Sequence, residues 1–181
     1  MIVRLTEGQL KTRFGVFREI LYYDGQKESI ALVLGDTAGA EDVLCRVHSS
    51  CIRGHVFNSI ECDCREQLET SQLLIEQAGR GIIIWFDQEG RGNGHMALLA
   101  SIKLKNEGVS QTQAYLELGF EADARSYKRA AEILDELKVK SVVLLTNNPD
   151  KVADLEKANI SISGTKRIEI EAKNDESGNV E

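Results

Sequence analysis

What the chain lacks narrows what it can be. No apolar run approaches the roughly 18 residues that a membrane-spanning helix needs, so no membrane partner is expected. No run of Lys or Arg exceeds two residues, and the formal net charge is −7 with a pI near 5.1. Nucleic-acid binding draws on a basic stripe along the phosphates, so no nucleic-acid partner is expected either. The N-terminal Met1-Ile2-Val3-Arg4-Leu5-Thr6-Glu7 has no basic stretch leading into an apolar one; the expected location is cytoplasmic, where thiols stay reduced. Proline occurs once, no linker composition interrupts the chain, and no internal repeat is visible. A length of 181 residues at 42% apolar composition suits one well-packed domain and is short for two. We expect residues 1–170 to form that domain and the polar 171–181 to be a disordered tail.

Cysteine is also scarce, and its distribution is uneven. Three of the four cysteines and two of the three histidines fall within residues 46–67, R-V-H-S-S-C-I-R-G-H-V-F-N-S-I-E-C-D-C-R-E-Q. Ahead of this stretch the chain reads as β. Segments 12–23 and 29–34 are apolar, β-branched or aromatic and flank Asp24-Gly25-Gln26-Lys27, a hairpin turn signal. Residues 35–40 read as a loop and 43–48 as a third strand. From Asp63 the period changes: Asp63-x-x-Glu66 has capping-box form, and Leu68, Leu74, Ile75 and Ala78 share one helical face until Gly79.

Residues 82–86, Ile-Ile-Ile-Trp-Phe, form a short continuous apolar run, as in a strand covered on both faces. A glycine-rich polar loop (87–94) and a helix to about Asn106 follow. After Gly108 the pattern is weak until Ser126, an N-cap candidate for a helix with Tyr127, Ala130, Ala131, Leu134 and Leu137 on one face. Residues 141–145 read as a buried strand, Asn148 and Pro149 as a helix start, and 160–170 as a last strand. The fold class is α/β (α+β), a mixed β-sheet with flanking helices.

Cys62-Asp63-Cys64 places two thiols at the mouth of a helix, where the dipole favours the thiolate, with Cys51 upstream. Three thiolates would hold a Zn²⁺ and leave one position open, as a catalytic site requires. On spacing alone two other readings stand beside it: a structural zinc completed by His48 or His55, and three unrelated thiols. Cys45 alternates with strand apolar positions and reads as core. Gln88-Glu89-Gly90-Arg91 combines a carboxylate, a guanidinium and glycine-bared N–H groups suited to a polyphosphate, although an ordinary surface turn has the same composition. Asp123-x-Arg125 reads equally as a solvated ion pair. In Thr146-Asn147-Asn148-Pro149-Asp150-Lys151 plain helix initiation explains the Asn and Pro but not Lys151, a cation in a first turn where the dipole disfavours it; an anion site explains it.

Taken in order, R-V-H-S-x-C (46–51), C-D-C-x-E-Q-L (62–68), Q-E-G-R-G-x-G (88–94), L-G-F-E-A-D-A-R-x-Y (118–127) and L-L-T-N-N-P-D-K (144–151) resemble the GTP cyclohydrolase II family of riboflavin biosynthesis. The resemblance runs from near Gly35 to Ile170. It implies that Cys51, Cys62 and Cys64 ligate zinc, whose water opens the purine imidazole ring at C8 with release of formate, and that pyrophosphate leaves from the triphosphate. Asp123 matches the family's proton acceptor. Arg125 matches the residue assigned there as nucleophile toward the α-phosphate; because a guanidinium is almost never deprotonated, a phosphate clamp is the assignment carried forward. Arg46, Val47, His48, Ser49, Ser50, Gln67, Glu89, Gly90, Arg91, Thr146 and Lys151 match nucleotide contacts. A Mg²⁺ on the triphosphate and a homodimer are implied as well.

The chain also departs from the family pattern. Ser50 stands where R-V-H-S-E has its Glu, Ile102 replaces the family's pocket tyrosine, and 110–115, S-Q-T-Q-A-Y, replaces D-T-V-E-A-N. Tyr115 is a candidate to refill the aromatic position. The zinc and phosphate motifs survive while base-facing positions change, which leaves three functions to separate: GTP ring opening, ring opening of another nucleotide such as a uracil nucleotide or a reaction halting at an intermediate, and a zinc-stabilised nucleotide sensor without turnover.

Overall fold

The computed structural model describes residues 1–170; the tail expected at 171–181 lies outside the described residues. Strands β1 (Val3–Thr12), β2 (Gly15–Tyr23) and β3 (Glu28–Leu34) form an antiparallel meander. The chain continues through β4 (Val43–Ser49), β5 (Gly81–Phe86), β6 (Val142–Leu145) and β7 (Ile162–Lys166). All seven lie in one mixed sheet in the order β1-β2-β3-β5-β4-β6-β7, with β3 antiparallel to β5 and every later pairing parallel.

Local chemistry explains the joints. The β2–β3 turn is closed by the Asp24 carboxylate, which accepts from the N–H groups of Gln26 at 2.8 Å and Lys27 at 2.7 Å, an Asx turn. The β1–β2 turn uses Thr12, whose hydroxyl donates to the Gly15 carbonyl at 3.0 Å and accepts from Phe14 N–H at 3.1 Å; β2 therefore begins at Gly15 rather than at residue 12. β1 itself was not anticipated. It is an edge strand with no buried residue and a register shift between Arg4 and Thr6, so it carries little of the apolar alternation by which strands are read.

Among the described residues six α-helices accompany the sheet: α1 (Ile52–His55), α2 (Cys64–Ala78), α3 (His95–Asn106), α4 (Gln111–Glu117), α5 (Lys128–Glu136) and α6 (Pro149–Lys157). One face of the sheet packs Ile20, Val33, Val43, Cys45, Val47, Ile82, Ile84 and Phe86 against Ala130, Ile133 and Leu134 of α5 and Leu155 of α6. The other packs Phe17, Ile83 and Leu145 against Ile75 of α2. The β5 run is thus buried on both faces, and Cys45 is a core residue.

Three expected caps or ends differ. Asp63 precedes α2 but makes no side-chain cap; its carboxylate accepts from Gln67 Nε2 at 2.9 Å instead, so the capping box is not formed. α5 begins after Tyr127, and the Ser126 carbonyl accepts from Gln88 Nε2 at 2.9 Å, tying the 88–94 loop to the start of α5. The last strand ends at Lys166. α4, unread in the sequence, is a seven-residue helix capped by Ser110, whose hydroxyl accepts from Gln113 N–H at 3.2 Å.

Candidate active site

The functional motifs converge at the carboxyl ends of β4, β5 and β6, the edge where parallel sheets collect their ligands. Where β4 ends, Cys51 turns the chain into α1, its sulfur accepting from Gly54 N–H at 3.4 Å. α2 starts at Cys64. The three sulfurs of Cys51, Cys62 and Cys64 lie within 4.8 Å of one another, with Cys51 and Cys62 Sγ 3.7 Å apart. Gly54 sits in the crook of this group: a Cβ there would lie 2.9 Å from Cys62 Sγ, so a side chain would displace a thiol.

Among the described residues the group contains no histidine or carboxylate. His48 and His55 face each other instead, Nε2 to Nε2 at 3.0 Å, while His48 Nδ1 accepts from Arg46 at 3.4 Å and His55 Nδ1 accepts from Cys51 N–H at 3.3 Å. Among the described residues neither histidine joins the thiol group, which speaks against a structural site completed by a histidine and leaves three soft donors with a side open to the cleft. Such a set fits Zn²⁺. Burial raises the thiol pKa values of Cys51 and Cys64, and a bound cation would offset this by stabilising the thiolates.

The turn Glu89–Gly92 leaves β5 through two left-handed residues, Gly90 (φ 59°) and Arg91 (φ 56°). Glu89 is buried, and its Oε2 accepts from Ile52 N–H at 2.8 Å, pinning this turn to α1. A Cβ at Gly92 would lie 2.7 Å from the Ala124 carbonyl carbon; the glycine thus admits the 123–125 strand of chain alongside, and Ala124 N–H donates to the Arg91 carbonyl at 2.9 Å. Arg91 itself donates to Thr112 Oγ1 at 2.9 Å.

Arg125 and Asp123 form a forked pair, Nε reaching Oδ1 at 2.8 Å. Burial is the largest influence and works to lower the Arg125 pKa, but the bond to Asp123 together with the nearby charges of Tyr127, Asp123 and Asp154 outweighs it, and the net shift is upward. A guanidinium held more firmly protonated cannot serve as a nucleophile, which favours the clamp. For Asp123 burial works upward and the Arg125 bonds prevail, so its carboxyl titrates below its ordinary value. Lys151 is buried and donates to the Val47 carbonyl; burial first, then Arg46 and Arg125, hold its pKa well below the ordinary value. Arg46 donates to the Leu145 carbonyl at 2.9 Å and to Gln67 Oε1, and burial brings its pKa down to about 10. It remains a cation at neutral pH.

These groups share one cleft of about 410 Å³, lined by the three cysteines, Arg46, His48, Ser49, Ser50, Gln67, Glu89, Gly90, Arg91, Arg125 and Lys151. A second cavity of about 310 Å³ is bounded by Asp123 together with Arg91, Arg125 and Lys151. Two expected contacts do not face either cavity. The Val47 side chain is core, and only its carbonyl serves the site, through Lys151. The Thr146 hydroxyl accepts from Asn148 N–H at 3.1 Å and shapes the start of α6. The cleft also has walls outside the residues matched as nucleotide contacts: Leu98, Gln111 and Tyr115, together with Gln88 of the 88–94 motif and the cations Arg53 and Lys105. The signal for Gln111 and Tyr115 was the cap at Ser110, too short a pattern to read as a helix.

A family model described as GTP cyclohydrolase II matches residues 3–168, reaching ahead of Gly35, where the motif resemblance starts. The GTP cyclohydrolase-2 of Actinobacillus succinogenes is 40% identical over 163 residues, covering 89% of this chain and 75% of that protein. That of Histophilus somni is 42% identical over 160 residues, covering 87% and 74%. The riboflavin biosynthesis protein RibBA of Bacillus mycoides is 42% identical over 173 residues, which is 94% of this chain but 43% of RibBA. Among solved structures, RibBX, a two-domain 3,4-dihydroxy-2-butanone 4-phosphate synthase from A. baumannii, superposes with a TM-score of 0.51 at 18% identity, over 91% of this chain and 40% of that one, a likeness of fold. With the match extending over the whole sheet and over every loop that lines the cleft, the chain belongs to the GTP cyclohydrolase II family.

Proposed function

We propose that the protein hydrolytically opens the imidazole ring of GTP and releases formate and pyrophosphate, with Zn²⁺ held by Cys51, Cys62 and Cys64 and Mg²⁺ accompanying the triphosphate. The names of its relatives suggest riboflavin biosynthesis as the setting. The observation that carries this reading is a three-thiol group with a free side, opening on the same cleft as four cations, Arg46, Arg91, Arg125 and Lys151.

Zn²⁺ in a site of this type supplies a water that ionises near neutral pH. The protein's own contributions are positional and electrostatic. Arg91, Arg125 and Lys151 flank both cavities and would hold the triphosphate, a trianionic or tetra-anionic group that needs several cations at short range. Burial, then Arg46 and Arg125, depress the Lys151 pKa, and an arriving phosphate would raise it by favouring the ammonium form. Asp123 is an ionised carboxylate beside the phosphate-clamping Arg125 and is the proton acceptor in this reading. Residues 1–170 act as one catalytic domain, and the working assembly is a homodimer, which light scattering tests.

Incubation with GTP should yield formate and pyrophosphate in equal amounts, and a Cys62→Ser variant should yield neither. Absence of formate from the zinc-loaded wild type would remove the proposal. A second reading, ring opening of another nucleotide, is supported by Ser50, whose hydroxyl donates to Asp87 at 3.1 Å, and by apolar Leu98 on the cleft wall. Mass spectrometry of the products from each nucleoside triphosphate separates the two.

A further inference from the structure

Among the described residues, three buried polar side-chain atoms on the cleft wall lack a hydrogen-bond partner: Ser49 Oγ, Gln88 Oε1 and the Tyr115 hydroxyl. Native proteins rarely leave such atoms unpaired, because a buried unsatisfied donor or acceptor costs stability. Tyr115 is the most informative of the three. Phenylalanine would fill the same space without the cost, so the hydroxyl needs an offsetting partner that arrives from outside.

Neighbouring elements fix the position of this hydroxyl. Tyr115 is 0% exposed, and its ring meets Phe120 edge-on with centroids 6.5 Å apart. α4 is fixed to α3 through Gln111 Nε2, which donates to Ser101 Oγ at 2.8 Å, and to the turn after β5 through the Arg91–Thr112 bond at 2.9 Å. The hydroxyl abuts Gly90, where a Cβ would lie 3.2 Å from it. Gly90 therefore serves twice: it adopts φ 59° and leaves room beside the oxygen. Leu98 forms the adjoining apolar wall; the Cβ of its side chain would be 3.4 Å from that same Gly90 Cβ.

The cavities also give the cleft a direction. Arg91, Arg125 and Lys151 are shared with the second cavity, whereas Tyr115, Leu98, Gln111 and the cysteines border the first alone. An anionic tail would lie at the shared cations, and the heterocycle would lie between the cysteines and Tyr115. We propose that Tyr115 is a base-recognition residue: its hydroxyl hydrogen-bonds an edge nitrogen or oxygen of the nucleobase, whose face rests on Leu98. This rests on the reading of the cleft as a nucleotide site and adds which residue reads the base.

The test is Tyr115→Phe in the full chain, which keeps the ring and deletes one oxygen. Two measurements are made against wild type: ligand-free melting temperature, and affinity for inorganic tripolyphosphate and for whichever of GTP, ATP, CTP and UTP the wild type binds most tightly. The expected result is a melting temperature equal to or above wild type, affinity for that nucleotide down roughly tenfold, and tripolyphosphate affinity unchanged within about twofold. A purely structural tyrosine would show a lowered melting temperature and equal losses for both ligands, and either outcome overturns the proposal. Unchanged nucleotide affinity in the variant also overturns it while leaving the nucleotide reading intact. A wild type that binds tripolyphosphate and none of the four nucleotides overturns that reading and this inference with it.

Discussion

The β1-β2-β3 end of the sheet is joined by turns of a few residues, whereas β4, β5, β6 and β7 are joined by helices and long loops. No residue before Arg46 lines either cavity. The physical reason is connectivity. Antiparallel neighbours need only a tight turn, and successive turns fall on opposite edges. Parallel neighbours need a crossover, and every crossover leaves from the same edge. The loops after β4, β5 and β6 therefore collect side chains distant in sequence, such as Cys51, Arg91 and Lys151, on one rim. The meander contributes core: Phe17, Ile20 and Tyr22 are fully buried. One end of the sheet supplies stability, and the other supplies stability and chemistry.

Substitutions can test that division. The largest effect belongs to the parallel end: Cys62→Ser should abolish stoichiometric zinc, read by elemental analysis, and lower the rate of ring opening at least ~10³-fold, or about 4 kcal/mol. Ile20→Ala in the meander should cost about 3 kcal/mol of unfolding free energy, measured by denaturant titration, with kcat/KM of the folded enzyme unchanged. A large catalytic loss there would break the comparison.

Acid should also separate the two ends. His48 is 3% exposed, and burial, then Arg46, His55 and Lys151, push its pKa from 6.5 down to about 2. The folded state then binds one proton fewer than the unfolded state between these values, so the stabilisation is present above pH 6.5 and is lost as pH falls. From pH 7 to 5 the loss from His48 is about 2 kcal/mol, and it should shrink in a His48→Gln background, leaving the part that comes from His55, whose pKa burial also lowers. Asp24 in the meander, its pKa lowered by the N–H of Lys27 and then of Gln26 from an ordinary 3.8, contributes stability that is lost only below about pH 4. Melting curves between pH 7 and 5 should therefore report the parallel end alone. The smallest effect expected is that of Arg13→Ala, which removes the exposed Arg13–Glu69 pair between the β1–β2 turn and α2; chemical denaturation should register at most ~0.5 kcal/mol.

Legibility in the sequence followed burial and spacing. The β5 run Ile82-Ile83-Ile84 and the Asp24-Gly25 hairpin were readable because local composition dictates each. β1 was not, since an exposed edge strand has no apolar period to show. α4 was not, since a seven-residue helix falls below what periodicity resolves. In the site, Cys51, Cys62 and Cys64 could be grouped from spacing, but whether His48 or His55 completed the group depended on which way two rings turned. Arg91 was noticed as a residue of a glycine-rich turn, while its left-handed φ and its bond to Thr112 depended on a helix that had not been read. Tyr115 was visible only as a displaced aromatic.

The sequence by itself determined the elements of the mixed sheet that are buried or turn-bounded, the three thiols, and the order of the cation-bearing loops, because each is a property of neighbouring residues. The tertiary structure alone decided that the thiols keep a free side, that Arg125 is held protonated by Asp123, that Val47 serves through its carbonyl, and that an unpartnered Tyr115 hydroxyl faces the cleft. These are relations between residues far apart in the chain, and only the parallel crossovers, by bringing their loops to one edge, set the distances on which hydrogen bonding and desolvation depend.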